Sequence, residues 1–136
     1  MSRLQIVTAG IIARKDWFLL IKRAREPFRD FWAFPSGCGA FLYGIDPKEA
    51  VIREVKCDIG CEFHPEFFTY SYDNFDNKPS IVLYFSGDIN GIPSANPKYV
   101  SDYRWFPFDK AKELDMAFGQ AAVLRKFIDS DISGKI

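Results

Sequence analysis

The chain has 136 residues, 48% hydrophobic and 17% aromatic, enough apolar material for the core of one domain spanning 1–136. Eighteen basic and eighteen acidic residues give a formal net charge of zero, so nothing points to a surface for long nucleic acid. No run reaches the roughly eighteen apolar residues of a membrane span, Met1 to Gln5 does not read as a signal peptide because the apolar run after it is short and interrupted by Arg14, Lys15 and Asp16, and an odd set of three cysteines argues against a disulfide framework; a soluble cytoplasmic protein is expected.

Ile6 to Ala13 is a continuous apolar run with β-branched residues, and Trp17 to Ile21 is another. The charged turn Arg14-Lys15-Asp16 between them makes a β-hairpin the natural reading. Lys22, Arg23 and Arg25 follow at the strand's end, where an arginine can grip a phosphate in a bidentate way or simply be solvated. The aromatic run Phe28 to Phe34 suits either the wall of a cleft or the core.

The stretch Phe34 to Cys61 organises the rest, as a glycine-rich loop feeding a helix. Asp46 can cap that helix, Pro47 fits its first position, Glu49 sits where a capping-box carboxylate would reach back, and Gly60 stops it. Helical spacing puts Val51, Ile52, Val55 and Ile59 on one face and Ala50, Arg53, Glu54, Cys57 and Asp58 on another. Glu54 and Asp58, four apart, stack on successive turns and repel unless a cation lies between them. Carboxylates so spaced suit magnesium, which shares its shell with waters and substrate phosphates; a plain solvated helix edge is the other reading. Cys38, Cys57, Cys61 and His64 do not match zinc-ligand spacing, and small buried thiols are expected instead.

Beyond the helix, Phe63 to Tyr72 reads as a strand weakened at Pro65, with Phe68, Tyr70 and Tyr72 alternating onto one face, mostly into the core. Asp73 to Pro79 supplies a turn and Ser80 to Ser86 another strand. Asn90 to Pro97 is an irregular loop and a candidate lid. Asp102 to Phe106 is the last expected strand. Asp109 is placed to cap a short helix through Leu114, Gly119 to Asp129 has helical spacing, and 130–136 should fray.

The central stretch resembles the Nudix box, G-x5-E-x7-R-E-U-x-E-E-x-G-U, with U a bulky apolar residue. Gly39 stands as the opening glycine, Arg53-Glu54-Val55 as R-E-U and Gly60 as the late glycine. Trp32-Ala33-Phe34-Pro35 looks like the strand leading into the box, and Tyr103 to Pro107 with the helix after it looks like the closing elements. The first box glutamate is replaced by Ile45, the paired glutamates by Cys57 and Asp58, and the approach Pro35-Ser36-Gly37-Cys38-Gly39 is two residues longer than usual. The resemblance implies a Nudix-type α/β/α sandwich with a mixed β-sheet, and magnesium-dependent hydrolysis of a nucleoside diphosphate linked to another group, such as a nucleotide, dinucleotide or nucleotide sugar.

It further implies Mg2+, with Mn2+ as a substitute, held by Glu54, Asp58 and the Cys38 carbonyl. Glu54 or Asp102 would serve as base, with Asp88 the other choice. Arg53 would be catalytic while seeking a partner in place of the glutamate lost at Ile45, and Arg23, Arg25 and Gly39 would bind substrate. The partner is a small-molecule nucleotide, and many members pair as homodimers. The missing glutamates support an alternative, a Nudix-fold nucleotide-binding sensor module without turnover.

Overall fold

The computed structural model of the protein describes residues 3–130. Strand β1 (Gln5–Arg14) and strand β2 (Trp17–Arg23) form the expected hairpin, with Ile12 opposite Leu19 and Arg14 opposite Trp17. Lys15 makes the tight turn at a φ of 54°. The two strands then part. Below the fork, β4 (Ser36–Gly37) pairs with β1 at Thr8 and Ala9, and β3 (Trp32–Ala33) pairs with β2 at Ile21 and Lys22. The segment from Trp32 to Gly37 thus crosses between the diverging strands, and the Gly10 N–H donates to the Pro35 carbonyl at 2.8 Å.

Helix α1 (Gly39–Tyr43) is a single turn where the sequence led us to expect loop, stopped by left-handed Gly44. Helix α2 (Pro47–Ile59) has the expected ends: the Asp46 carboxylate accepts from the Lys48 and Glu49 N–H groups, and Gly60 closes it at a φ of 72°. Next come β5 (Glu62–Phe63), β6 (Glu66–Phe75), β7 (Lys78–Gly87) and β8 (Ile89–Asn90). The β6–β7 turn is tighter than its composition suggests, since Phe75 pairs with Lys78 and only Asp76 and Asn77, both at positive φ, lie between. Strand β9 (Val100–Pro107) pairs along β2. It leads into α3 (Phe108–Ala111), where Pro107 rather than Asp109 occupies the cap, and the chain returns in α4 (Gln120–Ser130). Residues 131–136, expected to fray, lie outside the described part.

The sheet is mixed, in the order β3-β2-β1-β7-β6, with β1 and β7 parallel and the other pairings antiparallel. Period-two alternation sends its apolar side chains into two cores. Ile12, Leu19 and Ile21 meet Val51, Val55 and Ile59 of α2 on one face. Ala9, Ile11, Phe18 and Leu20 meet Val123 and Leu124 of α4 on the other. This is the expected α/β/α sandwich with a mixed sheet. A bulge between Phe67 and Thr69 breaks the aromatic alternation predicted for β6. Phe68 packs on Phe127 of α4, whereas Tyr70 and Tyr72 are exposed at the sheet's edge instead of filling the core. Among the described residues no helix is long and apolar enough to cross a membrane.

Candidate active site

Ala50, Val51, Val55 and Ile59 are buried and fix the rotation of α2, which turns Glu54 and Asp58 inward to the fork of the sheet. Asp58 is only 3% exposed. Both line a cavity of about 210 Å³ together with Arg23, Arg25, Ser36 and Tyr99. None of the four ion pairs among the described residues reaches either carboxylate. Burial pushes both carboxyls well above the ordinary carboxylate range, Glu54 raises Asp58 further, and Arg23 draws both back. A half-buried and a buried carboxylate, compensated only at a distance by Arg23 and with no cation in contact, form a concentrated acceptor set. Their hard oxygens, one helical turn apart, fit a divalent cation such as Mg2+.

The main chain at this site is not the one the box register suggests. The Cys38 carbonyl is turned into α1, where it accepts the Leu42 N–H at 2.8 Å, and its thiol is raised by burial and by Glu54. Gly39 has room to spare, because a Cβ built there would meet nothing closer than Ala50 at 3.8 Å. Gly37 has none: a Cβ built there would collide with the Glu54 carboxylate. The glycine that lets the backbone approach the carboxylate is therefore Gly37, and Ser36 is the cavity-lining neighbour. The two extra residues noted in the sequence are wound into α1.

The remaining predicted residues separate into two groups. Arg23 and Arg25 join the cavity. A bulge where β9 crosses Lys22 and Arg23 turns the strand there, and the Arg23 guanidinium donates to the Pro27 carbonyl at 2.9 Å and lies over the Phe118 ring at 5.1 Å. Burial lowers its pKa, an effect partly offset by Asp58. Arg25 lies over the Tyr99 ring.

Arg53 is not brought to the cleft. It points outward to Glu49, its Nε 3.3 Å from Oε1, so the partner missing at Ile45 is supplied one turn earlier and the Glu49 carboxylate is engaged there. Asp102 is opposite Lys22 in register, and Lys22 lies over Trp32, part of the core on the α4 side. Asp102 therefore faces away from Glu54 and receives the Arg104 Nε. Asp88 is paired with Arg14. Among the described residues no three His, Cys, Asp or Glu side chains cluster as metal ligands, and Cys57, expected buried, is exposed.

The proposed lid is anchored. Ser94 and Asn96 donate their N–H groups to the Ile59 and Asp58 carbonyls, both at 2.9 Å, the Asn96 side chain reaches the Cys57 carbonyl, and the Tyr103 hydroxyl donates to the Pro93 carbonyl. Three further residues were not singled out individually in the sequence, although two of them, Glu26 and Asp73, fall in the stretches Arg25 to Phe31 and Asp73 to Pro79 expected to select the substrate. Glu26 lines the carboxylate cavity. Asp73 and Gln120 line a second cavity of about 280 Å³, which shares Arg23 and Ser36 with the first. Only the folded sheet brings these distant residues together.

A family model described as NUDIX domain matches residues 3–127. The structure resembles the MutT protein from Methanosarcina mazei Go1, with a TM-score of 0.82 and 19% identity over 96% of each chain. It also resembles a mutator MutT protein from Bacillus halodurans, with a TM-score of 0.74 and 24% identity over 89% of this chain and 80% of that one. A third likeness is the NUDIX domain of Shewanella oneidensis NrtR, crystallised with ADP ribose, with a TM-score of 0.80 and 16% identity over 96% of this chain and 90% of that one. No curated protein matches the sequence. At these identities the structural likenesses speak for the fold.

Proposed function

Because the chain belongs to the NUDIX family of hydrolases, which act on nucleoside diphosphate derivatives, we propose that it is a magnesium-dependent pyrophosphohydrolase cleaving the diphosphate linkage of a nucleotide, dinucleotide or nucleotide sugar. The observation that supports this reading is the pair of half-buried Glu54 and buried Asp58, without a contacting cation, beside Arg23 at the fork of the sheet. Glu54 and Asp58 would hold the Mg2+ (or Mn2+), with Ser36 in place of Cys38 as the adjacent oxygen donor.

When bound, the cation neutralises charge on the diphosphate and acidifies a coordinated water. Arg23 and Arg25 grip the phosphate oxygens and hold the linkage across the fork. Glu54, packed against Gly37, accepts the proton of the attacking water. Most of the acceleration comes from positioning and charge stabilisation, as phosphoryl transfer requires.

The test is phosphate release, through a coupled phosphatase, from a panel of nucleoside triphosphates, dinucleotides and nucleotide sugars with Mg2+. Glu54→Gln should lower turnover of the best substrate about 10²- to 10⁴-fold, the usual worth of a positioned base. Turnover indifferent to both Mg2+ and Glu54 would overturn the assignment. One observation favours a second reading, a nucleotide-binding module: Asp102 and Asp88 face elsewhere, so Glu54 alone must both hold the cation and take the proton. Binding across the panel with no product formed would select that reading.

A further inference from the structure

The second cavity carries chemistry that phosphate binding does not use. Its floor is the α4-side face of β1, β7 and β6, and its roof is Phe118 with the start of α4. At about 280 Å³ it lies at the lower edge of the range for small-ligand pockets, which suits one flat base better than a whole dinucleotide. Phe75 and Phe118, with ring centroids 5.6 Å apart, supply aromatic wall. Arg23, over the Phe118 ring, marks the boundary with the carboxylate cavity.

Two polar groups stand out in this wall. Asp73 belongs to no ion pair among the described residues, and both its carboxylate oxygens lie close to Gly119, at 3.3 and 3.6 Å from a Cβ built there. Gln120, the next residue, is 2% exposed. Its Oε1 accepts the Phe34 N–H at 2.8 Å, which fixes the amide and leaves its NH₂ as the remaining donor. The cavity therefore sets an acceptor-only group beside a donor. A carboxylate here repels the diphosphate, so the charged end of a substrate is directed to Arg23 and Arg25 and its base to Asp73.

Resting on the hydrolase reading above, we propose that Asp73 selects guanine nucleotides by accepting the adjacent N1–H and N2–H₂ donors of the base, with the Gln120 amide donating to the neighbouring O6. Guanine alone among the common bases presents two neighbouring donors on its pairing edge. Adenine and cytosine place an acceptor beside their amino group, and uracil flanks its one N–H with two carbonyls, each of which would face the carboxylate lone pairs. Partial desolvation raises the Asp73 carboxyl, an effect offset in part by the Ser71 hydroxyl beside it, so water has been only partly removed from this acceptor. A site built to hydrogen-bond a donor rejects the analogue lacking it, because the acceptor, half-buried in the free protein and covered by the bound base, is then left unpaired.

The experiment compares binding of GMP, IMP, AMP and CMP to the full chain by calorimetry, a readout independent of hydrolysis. IMP differs from GMP only by the missing N2 amine. GMP should bind about 10- to 100-fold tighter than IMP, the range for a hydrogen bond to a charged group. Asp73→Asn should bring the two within about threefold, since an amide fixed in one orientation offers at most one acceptor toward the base. Equal affinity of the wild type for GMP and IMP, a preference for AMP or CMP, a preference surviving in Asp73→Asn, or no GMP binding at millimolar concentration would each overturn the proposal. If Asp73→Asn melts early, the wild-type GMP to IMP ratio alone decides. Turnover of the full panel of triphosphates, dinucleotides and nucleotide sugars is scored separately. Discrimination with no product from any member of that panel refutes the hydrolase reading and keeps this one, and turnover without discrimination does the reverse.

Discussion

The two edges of α2 use the same residue types in opposite ways. On the outer edge, Arg53 and Glu49 pair at 3.3 Å with their side chains 64% and 50% exposed. On the inner edge, Glu54 is half-buried and Asp58 buried, neither has a cation in contact, and both carboxyls are pushed up by desolvation. Water screens the outer pair, so it contributes little to stability. The inner pair costs the fold free energy that Arg23 offsets in part and that a bound cation or a proton relieves further. Adjacent positions in one turn thus divide between stabilising the helix and equipping the site.

The strongest way to break this contrast is to crowd the inner edge without touching its charge. Gly37→Ala would place a methyl group on the Glu54 carboxylate and should cost on the order of a hundredfold in turnover, the scale for a catalytic group displaced by about 1 Å. Gly39→Ala, two residues away with ordinary clearance, should stay within about threefold of wild type in the same assay. Equal losses would show that the box glycine had been assigned to the wrong position.

The next effect is on stability. The folded-state pKa values of Glu54 and Asp58 are raised, so the cation-free fold binds protons more tightly than the unfolded chain. Their stabilising protonation is fully present below the ordinary carboxylate range and is lost as pH rises through the raised values. Thermal melts without divalent cation should therefore fall from pH 5 toward pH 8, and Mg2+ should restore more stability at pH 8 than at pH 5. Asp58→Asn should flatten the profile and raise cation-free stability at pH 8 by about 1–3 kcal/mol, the cost of an uncompensated buried polar group. A steeper profile in that variant would contradict the arrangement. The smallest effect belongs to the outer edge, where Arg53→Ala should cost about 0.3–0.5 kcal/mol in denaturant melts and leave turnover within about twofold.

Sequence alone made much of this architecture readable, because local rules govern it. The β1–β2 hairpin follows from two β-branched runs around a charged turn, and α2 from its Asp46 cap, Pro47 and Gly60. The Glu54–Asp58 spacing followed from helical periodicity. What stayed hidden depends on register across the chain. The two residues gained before the box are absorbed by α1, which moves the close-approach glycine from Gly39 to Gly37. The face on which Asp102 lies depends on its pairing with Lys22, next to a bulge that no composition signals. Asp73 and Gln120, 47 positions apart in the chain, become neighbours only when β6 and α4 close on the same side of the sheet. The Arg53 partner was open to reading, since Glu49 is four residues before it on one helix.

The loop from Gly91 to Pro97 has the composition of a segment free to vary in length, yet its two main-chain donors end the helix that carries Asp58, and its Pro93 carbonyl is tied to Tyr103 on β9. It acts as a splint of fixed span between the helix terminus and the sheet. Its length is thereby set by the distance it bridges, and the position of the acidic pair is referenced to β9 as well as to α2. An ornamental surface loop could grow or shrink among homologous chains without consequence; this one would carry any change in its length directly to the Asp58 main chain.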